Sequence, residues 1–413
     1  MASKNSRGLV TAGVGGEAAE APLLLPEHAV VGDAEPPPAG AGGASVLGAV
    51  FNVSTSVVGA GIMSIPASMR VLGVAPAVAL IVGVALLANA AVEFMLRYTR
   101  AGSLATTSYA ALMGGSFGRA GAALLNVFVA FNCVGTLTVY LIIIDSLRFT
   151  SAVSILLAAV FMLISMGIAL YALFSGTAKV PRMLPDFSRL SSPFELFTAV
   201  PVIVVAFTFH FNVHPIRAEL SKTSDMKAAT RISLVLCSVI YAAVGFFGFL
   251  LFGDATMPDV LANFDSSSGS GVPQALNDAA RLSYALHLVL VFPLLHYSLR
   301  VNVDELLFPG RRPLAADTRR FVSLTAALMA ALYALAIAIP SIWTLFEYTG
   351  STFAVCISLI FPGAIVLRDA HGIAKRKDKT LAATMITLAV ITSSVAIASN
   401  IMSSVRGAQA KGV

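Results

Sequence analysis

Charge is what this chain has least of. Lys, Arg, Asp and Glu together make up 12% of its 413 residues, about half the share usual in a soluble domain. Cysteine is scarce too. Cys133, Cys237 and Cys356 each lie inside an apolar stretch. An odd number in such surroundings argues against a disulfide framework, so they read as small packing residues. There is no His-Glu-x-x-His, no P-loop and no pair of carboxylates within an apolar stretch. These absences point away from an enzyme, and no metal site or cofactor is expected. The net charge of +6 does not point to nucleic acid, because the basic residues are dispersed in short loops, where they set membrane orientation.

What remains is apolar. Hydrophobic residues reach 57% and mean hydropathy is +0.85. The long segments are continuously apolar rather than alternating, which excludes a β-barrel and defines an all-α polytopic membrane protein whose partner is the lipid bilayer. Ten candidate spans are read, at about 45–69, 74–97, 120–144, 151–174, 195–213, 232–252, 279–300, 321–341, 346–367 and 381–402. Residues 1–43, rich in Ala, Gly, Pro and Glu, read as a disordered cytosolic tail. Residues 44–402 form the membrane domain and 403–413 a short C-terminal tail. No cleavable signal peptide is expected. Glu20-Ala21-Pro22-Leu23-Leu24-Leu25 resembles an acidic dileucine sorting signal.

Basic loops orient the spans. Those holding Arg97, Arg100 and Arg119, Arg217 to Arg231, Arg311 to Arg320, and Arg368 to Lys379 read as cytosolic. The loop with Asp254, Asp259, Asp265 and Asp278 reads as facing the other side. From residue 214 onward the alternation holds. Before it, three spans separate Arg119 from Arg217, where an even number is required. The join at Ile144-Asp145-Ser146-Leu147-Arg148 is the suspect place.

Chemistry concentrates in two polar interruptions. Ser54-Thr55-Ser56 followed by Gly59-Ala60-Gly61 sits in the middle of the first span. Serine and threonine compete for backbone bonds, and glycine supports helix poorly. One reading is an unwound segment whose peptide groups meet a polar solute at mid-membrane depth. The other is close helix packing through small residues. Phe209-His210-Phe211-Asn212-Val213-His214-Pro215 interrupts the fifth span. Pro215 removes a backbone donor and disfavours helix at His214. His210 reads as functional, and His214 as the cytosolic end of the span. Asn132 and Thr136, with Tyr140 a turn beyond, share one face of the third span. They line a cavity or bond a neighbouring helix. His287 is an ionisable group within the seventh span, either functional or bonded to a neighbour.

Phe51-Asn52-Val53-Ser54 through Met69, Ala206-Phe207-Thr208-Phe209-His210 with Pro215-Ile216 and Glu219-Leu220, and Arg281-Leu282 with Phe292-Pro293 together resemble the amino acid/auxin permease family. The closest subgroups are the sodium-coupled neutral amino acid transporters and the plant vacuolar amino acid transporters. The resemblance implies a LeuT-type inverted-repeat bundle of eleven helices, and amino acid transport by alternating access across an internal membrane. It places the substrate at Ser54, Thr55, Ser56, Gly59, Gly61, Phe209 and His210, with Asn132 and Thr136 beside it. Two departures stand out. The region of the family's fourth helix is missing at Ile144-Asp145. Val289 and Val291 stand where sodium-coupled relatives offer a hydroxyl, so Na+ coupling is less expected than H+ coupling through His210 or His287. A sensor that binds an amino acid without moving it, and a transport-deficient isoform lacking one helix, are the alternatives.

Overall fold

The computed structural model describes residues 44–102, 108–145, 154–176, 181–189, 193–266, 274–339 and 341–411. The 1–43 tail with its dileucine pattern, and Ser146-Leu147-Arg148, lie outside the described residues. The elements are α1 (Val46–Val57), α2 (Ile65–Leu72), α3 (Val74–Ala101), α4 (Tyr109–Asp145), α5 (Ser154–Phe174), α6 (Ala199–Ala206), α7 (Val213–Glu219), α8 (Met226–Phe252), α9 (Val260–Ser266), α10 (Gln274–Leu307), α11 (Thr318–Ala338), α12 (Ile342–Thr349), α13 (Phe361–Arg368) and α14 (Arg376–Lys411). Among the described residues, eight helices are long and apolar enough to cross a membrane. The bent pair α1 and α2 adds a ninth, and Val160–Phe174 is a shorter apolar helix.

Both interruptions are breaks. The Ser45 hydroxyl caps α1 by accepting the Gly48 N–H at 3.1 Å. The helix stops at Val57, because Val58 (ψ 91°) and Gly59 (φ −132°, ψ −160°) are extended. A tight turn over Ala60–Ser64 follows, then α2 with Pro66 in its first turn, and the axis bends by 54°. In the other break, α6 ends at Phe207 (φ −102°, ψ 14°), Phe209 (φ −124°, ψ 6°) leaves the helical region, and α7 restarts at Val213.

His214 is therefore not the end of its span, as expected above. It lies in α7, 2% exposed, with Nε2 at 2.9 Å from the Thr99 hydroxyl. Pro215 falls in the first turn of α7, where its missing N–H costs nothing, and the helix continues to Glu219. At the C-terminus α14 runs on to Lys411.

Two sets of helices repeat one arrangement. The broken span α1–α2, then α3, α4 and α5, match α6–α7, then α8, α10 and the segment 342–368. As α5 packs on α10 and α8, so 342–368 packs on α4 and α3. The second set also holds α11, laid against α4. The first set has no counterpart to α11 among the described residues.

The two faces can be told apart by contacts. Ala44, leading into α1, pairs with Leu220 after α7, so α1 begins on the face where α7 ends. Glu93 meets Lys227 at 2.6 Å, Arg97 meets Asp378 at 2.9 Å, and Tyr98 meets Asp369 at 2.7 Å on this same face. On the opposite face the Val74 N–H donates to the Arg182 carbonyl, in the segment after α5, at 3.0 Å, and Arg182 pairs with Asp254 at 2.8 Å.

Helix α4 runs antiparallel to 342–368, with Phe117 by Arg368, Phe128 by Phe361 and Gly135 by Thr349. It therefore leads away from the face where α1 begins. Helix α5 ends toward that same opposite face. Seven residues from Phe174 to Pro181 reach about 25 Å at most, too short to recross a ~30 Å hydrocarbon core. Consecutive spans pointing the same way need a crossing between them, and only residues 146–153 join α4 to α5. The geometry meets the mismatch read from the basic loops.

Candidate functional site

The two breaks touch. Gly61 lies against Ala206, where a Cβ would come within 2.7 Å of the Ala206 Cβ. At Gly59 a Cβ would run into the Tyr140 hydroxyl from α4. The packing reading of both glycines is thus realised in this conformation. Both also line a small cavity, together with Ser56, Asn132, Thr136 and Thr208. Aromatic rings of Tyr140, Phe211 and Phe346 complete its wall, and no lining side chain carries a formal charge.

Of the residues singled out from the sequence, Ser56, Gly59, Gly61, Asn132 and Thr136 come together here. Thr55 faces a second cavity nearer the face where α1 begins. Ser54 is buried away from both. Phe209 and His210 are fully buried and do not line the central cavity. The His210 ring packs on Phe209 with centroids 5.1 Å apart.

Polar satisfaction at the breaks is uneven. The carbonyls released by unwinding are covered by side chains from elsewhere. Tyr241 on α8 donates to the Val57 carbonyl at 2.6 Å and reaches the Ala206 carbonyl at 2.9 Å, tying one break to the other. Tyr284 on α10 donates to the Gly59 carbonyl at 2.6 Å, and His287 Nε2 lies 2.8 Å from the Val58 carbonyl. Buried carbonyls demand such partners in a membrane. Thr136 is satisfied by the Asn132 carbonyl at 2.9 Å, and Thr208 by the Val204 carbonyl at 2.8 Å and the Ser358 hydroxyl at 2.9 Å. The Asn132 side-chain oxygen, buried beside the cavity, has no hydrogen-bond partner among the described residues. The Gly59 N–H makes no hydrogen bond among the described residues. The site thus holds a bare acceptor and a bare donor next to one space.

Tyr241 and Tyr284 were not foreseen. The one available signal was a phenol inside an otherwise apolar span, which needs a partner once buried. No group of three His, Cys, Asp or Glu able to hold a metal occurs among the described residues.

A pair of interrupted spans meeting at a polar cavity, in two inverted sets of helices, is the architecture of a LeuT-type secondary transporter. Solved structures agree with this fold. The manganese transporter of Eremococcus coleocola matches with a TM-score of 0.52 at 13% identity, covering 86% of each chain. MhsT in complex with L-phenylalanine matches with a TM-score of 0.50 at 16% identity, covering 86% of this chain and 98% of that one. The sequence profile of the transmembrane amino acid transporter proteins matches residues 42–191 and 144–405.

The chain belongs to the transmembrane amino acid transporter family. Amino acid transporter AVT6A of Arabidopsis thaliana is 44% identical over 409 residues, covering 87% of this chain and 88% of that protein. AVT6C of the same plant is 44% identical over 412 residues, covering 87% and 94%. Sodium-coupled neutral amino acid transporter 7 of Bos taurus is 25% identical, covering 81% and 82%. The AVT6A alignment spans 409 positions, yet 87% of 413 residues is about 359, so roughly fifty positions have no residue in this chain.

Proposed function

We propose that this protein carries an amino acid across an internal membrane such as the vacuolar one, by alternating access, with its N-terminus in the cytosol. The observation that carries the reading is the cavity between the two breaks, with an unpartnered acceptor on Asn132 and an unbonded N–H at Gly59. A zwitterion complements both: its carboxylate takes the backbone donor, and its ammonium the amide oxygen. Ser56, Gly61 and Thr136 would lie along the same substrate. Ser54, Thr55, Phe209 and His210 would then support the breaks without touching it. A wall without charged side chains favours uncharged substrate side chains, because an unpaired charge there costs several kcal/mol. The sorting pattern in the tail and the family resemblance support the internal membrane. Basic residues gathered on the face where α1 begins support a cytosolic N-terminus.

For coupling we propose H+ rather than Na+. Val57, Val58 and Gly59 carbonyls, the oxygens a hard cation would use, are already taken by Tyr241, His287 and Tyr284. His287 joins a break to α10 through a proton-bearing ring and is the stronger titrating candidate. His210 is the other.

Uptake of labelled amino acids into vesicles holding the purified protein tests both parts. Flux is expected, driven by a pH gradient and indifferent to Na+. His287→Gln, which keeps a donor for Val58, is expected to retain downhill flux and lose the pH-gradient drive. Folded protein with no flux for any of the twenty amino acids would overturn transport. Binding without flux would instead support a sensor or a transport-deficient form.

A further inference from the structure

A second cavity of about 480 Å³ lies between the central one and the face where α1 begins, and Ser56 lines both. Its wall is mainly apolar, with Pro215, Ile216 and Leu294, but it carries the amides of Asn52 and Asn212, several hydroxyls and a single carboxylate, Glu219 at the end of α7. Between the two cavities runs a short polar chain. The Ser298 hydroxyl on α10 donates to the Asn212 side-chain oxygen at 2.9 Å, and Asn212 Nδ2 donates to the Ser56 hydroxyl at 3.3 Å. On the outer side α1 and α7 are fastened twice more. Asn52 Nδ2 donates to Glu219 Oε2 at 3.0 Å. The Ala44 N–H donates to the Glu219 carbonyl at 2.8 Å, and the Ser221 N–H to the Ala44 carbonyl at 3.2 Å. These bonds join α1 to the α7 segment beside the second cavity.

We propose that Glu219 is both the latch between α1 and α7 and a transit site for the ammonium end of the substrate, the two roles being mutually exclusive. The proposal rests on the transport reading for its second half only. The Glu219 carboxylate is held by a neutral amide donor. A bond from an ammonium to a carboxylate is charge-assisted and roughly twice as strong as one between neutral groups. An ammonium leaving the central cavity meets Glu219 as the first formal charge on its path, and pairing with it releases Asn52. With that bond gone, the hydrogen bonds still tying α1 to the α7 segment among the described residues are those of the Ala44 backbone and the long Ser56–Asn212 contact, and α1 can swing away.

The test is alkylation of a cysteine placed at Thr55, which lines this cavity. A charged thiol reagent is applied from the α1 side to protein in vesicles, with and without amino acid. Cys133 and Cys237 are buried, so a Cys356→Ser background suffices. With Glu219 present, labelling is expected to be slow and to speed up when amino acid is added. Glu219→Ala and, independently, Asn52→Ala are expected to speed labelling about three- to tenfold without amino acid, the loss of one hydrogen bond. Glu219→Gln keeps an acceptor for Asn52 and loses the charge, so labelling stays slow with or without amino acid. Slow labelling in both alanine variants, or an amino-acid response in the glutamine variant equal to the parent's, would overturn the proposal. A parent that ignores amino acid while both alanine variants label fast would sink the transport reading and the ammonium step, and leave the latch standing.

Discussion

Gly59 and Gly61 are contact points before they are anything else. Gly61 has no room for a Cβ because the Ala206 backbone lies 2.8 Å from where it would stand. Overpacking of this kind costs about 1–3 kcal/mol, so Gly61→Val is expected to lower the thermal midpoint and abolish uptake together. At Gly59 the obstacle is a hydroxyl at the end of a side chain. Gly59→Ala is therefore expected to lose uptake, and the pair Gly59→Ala with Tyr140→Phe to recover part of it, measured as initial rates at equal expression. No recovery would mean that Gly59 is needed for backbone access by the substrate itself. Asn132→Leu keeps the volume and removes the bare acceptor. It is expected to weaken amino acid binding about tenfold while leaving the melting temperature near the parent's.

Asp259 offers a pH test outside the spans. Burial pushes its carboxyl up to about 6, against the lowering pull of the Leu261 N–H and of Arg281. Because the folded value exceeds the unfolded one, the folded protein holds this proton while the unfolded chain has lost it. The stability contributed by the protonated form is thus full below about pH 4 and is lost as pH rises through about 6. Asp259→Asn should flatten that part of the stability profile, followed by thermal unfolding between pH 4 and 7. An unchanged slope would remove Asp259 from the account.

At the scale of elements, the breaks are held open by helices that are themselves unbroken. Tyr241 ties α1 to α6 through two carbonyls, so Tyr241→Phe leaves both without that donor. A loss of about 1–3 kcal/mol is expected by thermal shift, with uptake reduced more than stability alone explains. A midpoint equal to the parent's would mean water replaces the phenol. The places where a break could fall were legible in the sequence, since Ser54-Thr55-Ser56, the glycines and Pro215 act on their own backbone, but whether the helices break there was left between two readings. The extent of the breaks was not legible. Pro215 looked like a terminator and proved to start α7, because the first helical turn needs no N–H from it. Of the named site residues, those on α1 and α4 with a free view of the cavity could be read from helix periodicity. Phe209 and His210 could not, because residues 207–209 are not helical and helix periodicity says nothing there about where side chains point.

For the whole molecule the open matter is the crossing between α4 and α5. Two spans point the same way, eight residues join them, and roughly fifty positions of the AVT6A alignment have no residue here. The helix in the matching place of the other set, α11, has only 11% of its apolar window buried. A peripheral helix of that kind contributes little to the central contacts, so the breaks can meet without it. Grafting the unmatched stretch of AVT6A between Asp145 and Ser154 is expected to raise uptake severalfold at equal expression. Equal uptake with and without it would show that the shorter chain crosses the membrane competently as it is.

Hydropathy along the chain was enough to establish a membrane bundle of about ten spans, the places of its two polar interruptions and the odd count of spans between Arg119 and Arg217, because each of these is a property of neighbours in sequence or of simple parity. Folding in three dimensions decided which side chains serve the interruptions. Tyr241, Tyr284 and His287 reach the first break from helices more than 180 residues away, and Asn52 meets Glu219 across 167. In a span that is apolar on every side, lipid and protein interior are the same solvent to a linear reading, and only packing shows which face a lone hydroxyl or ring turns toward its partner.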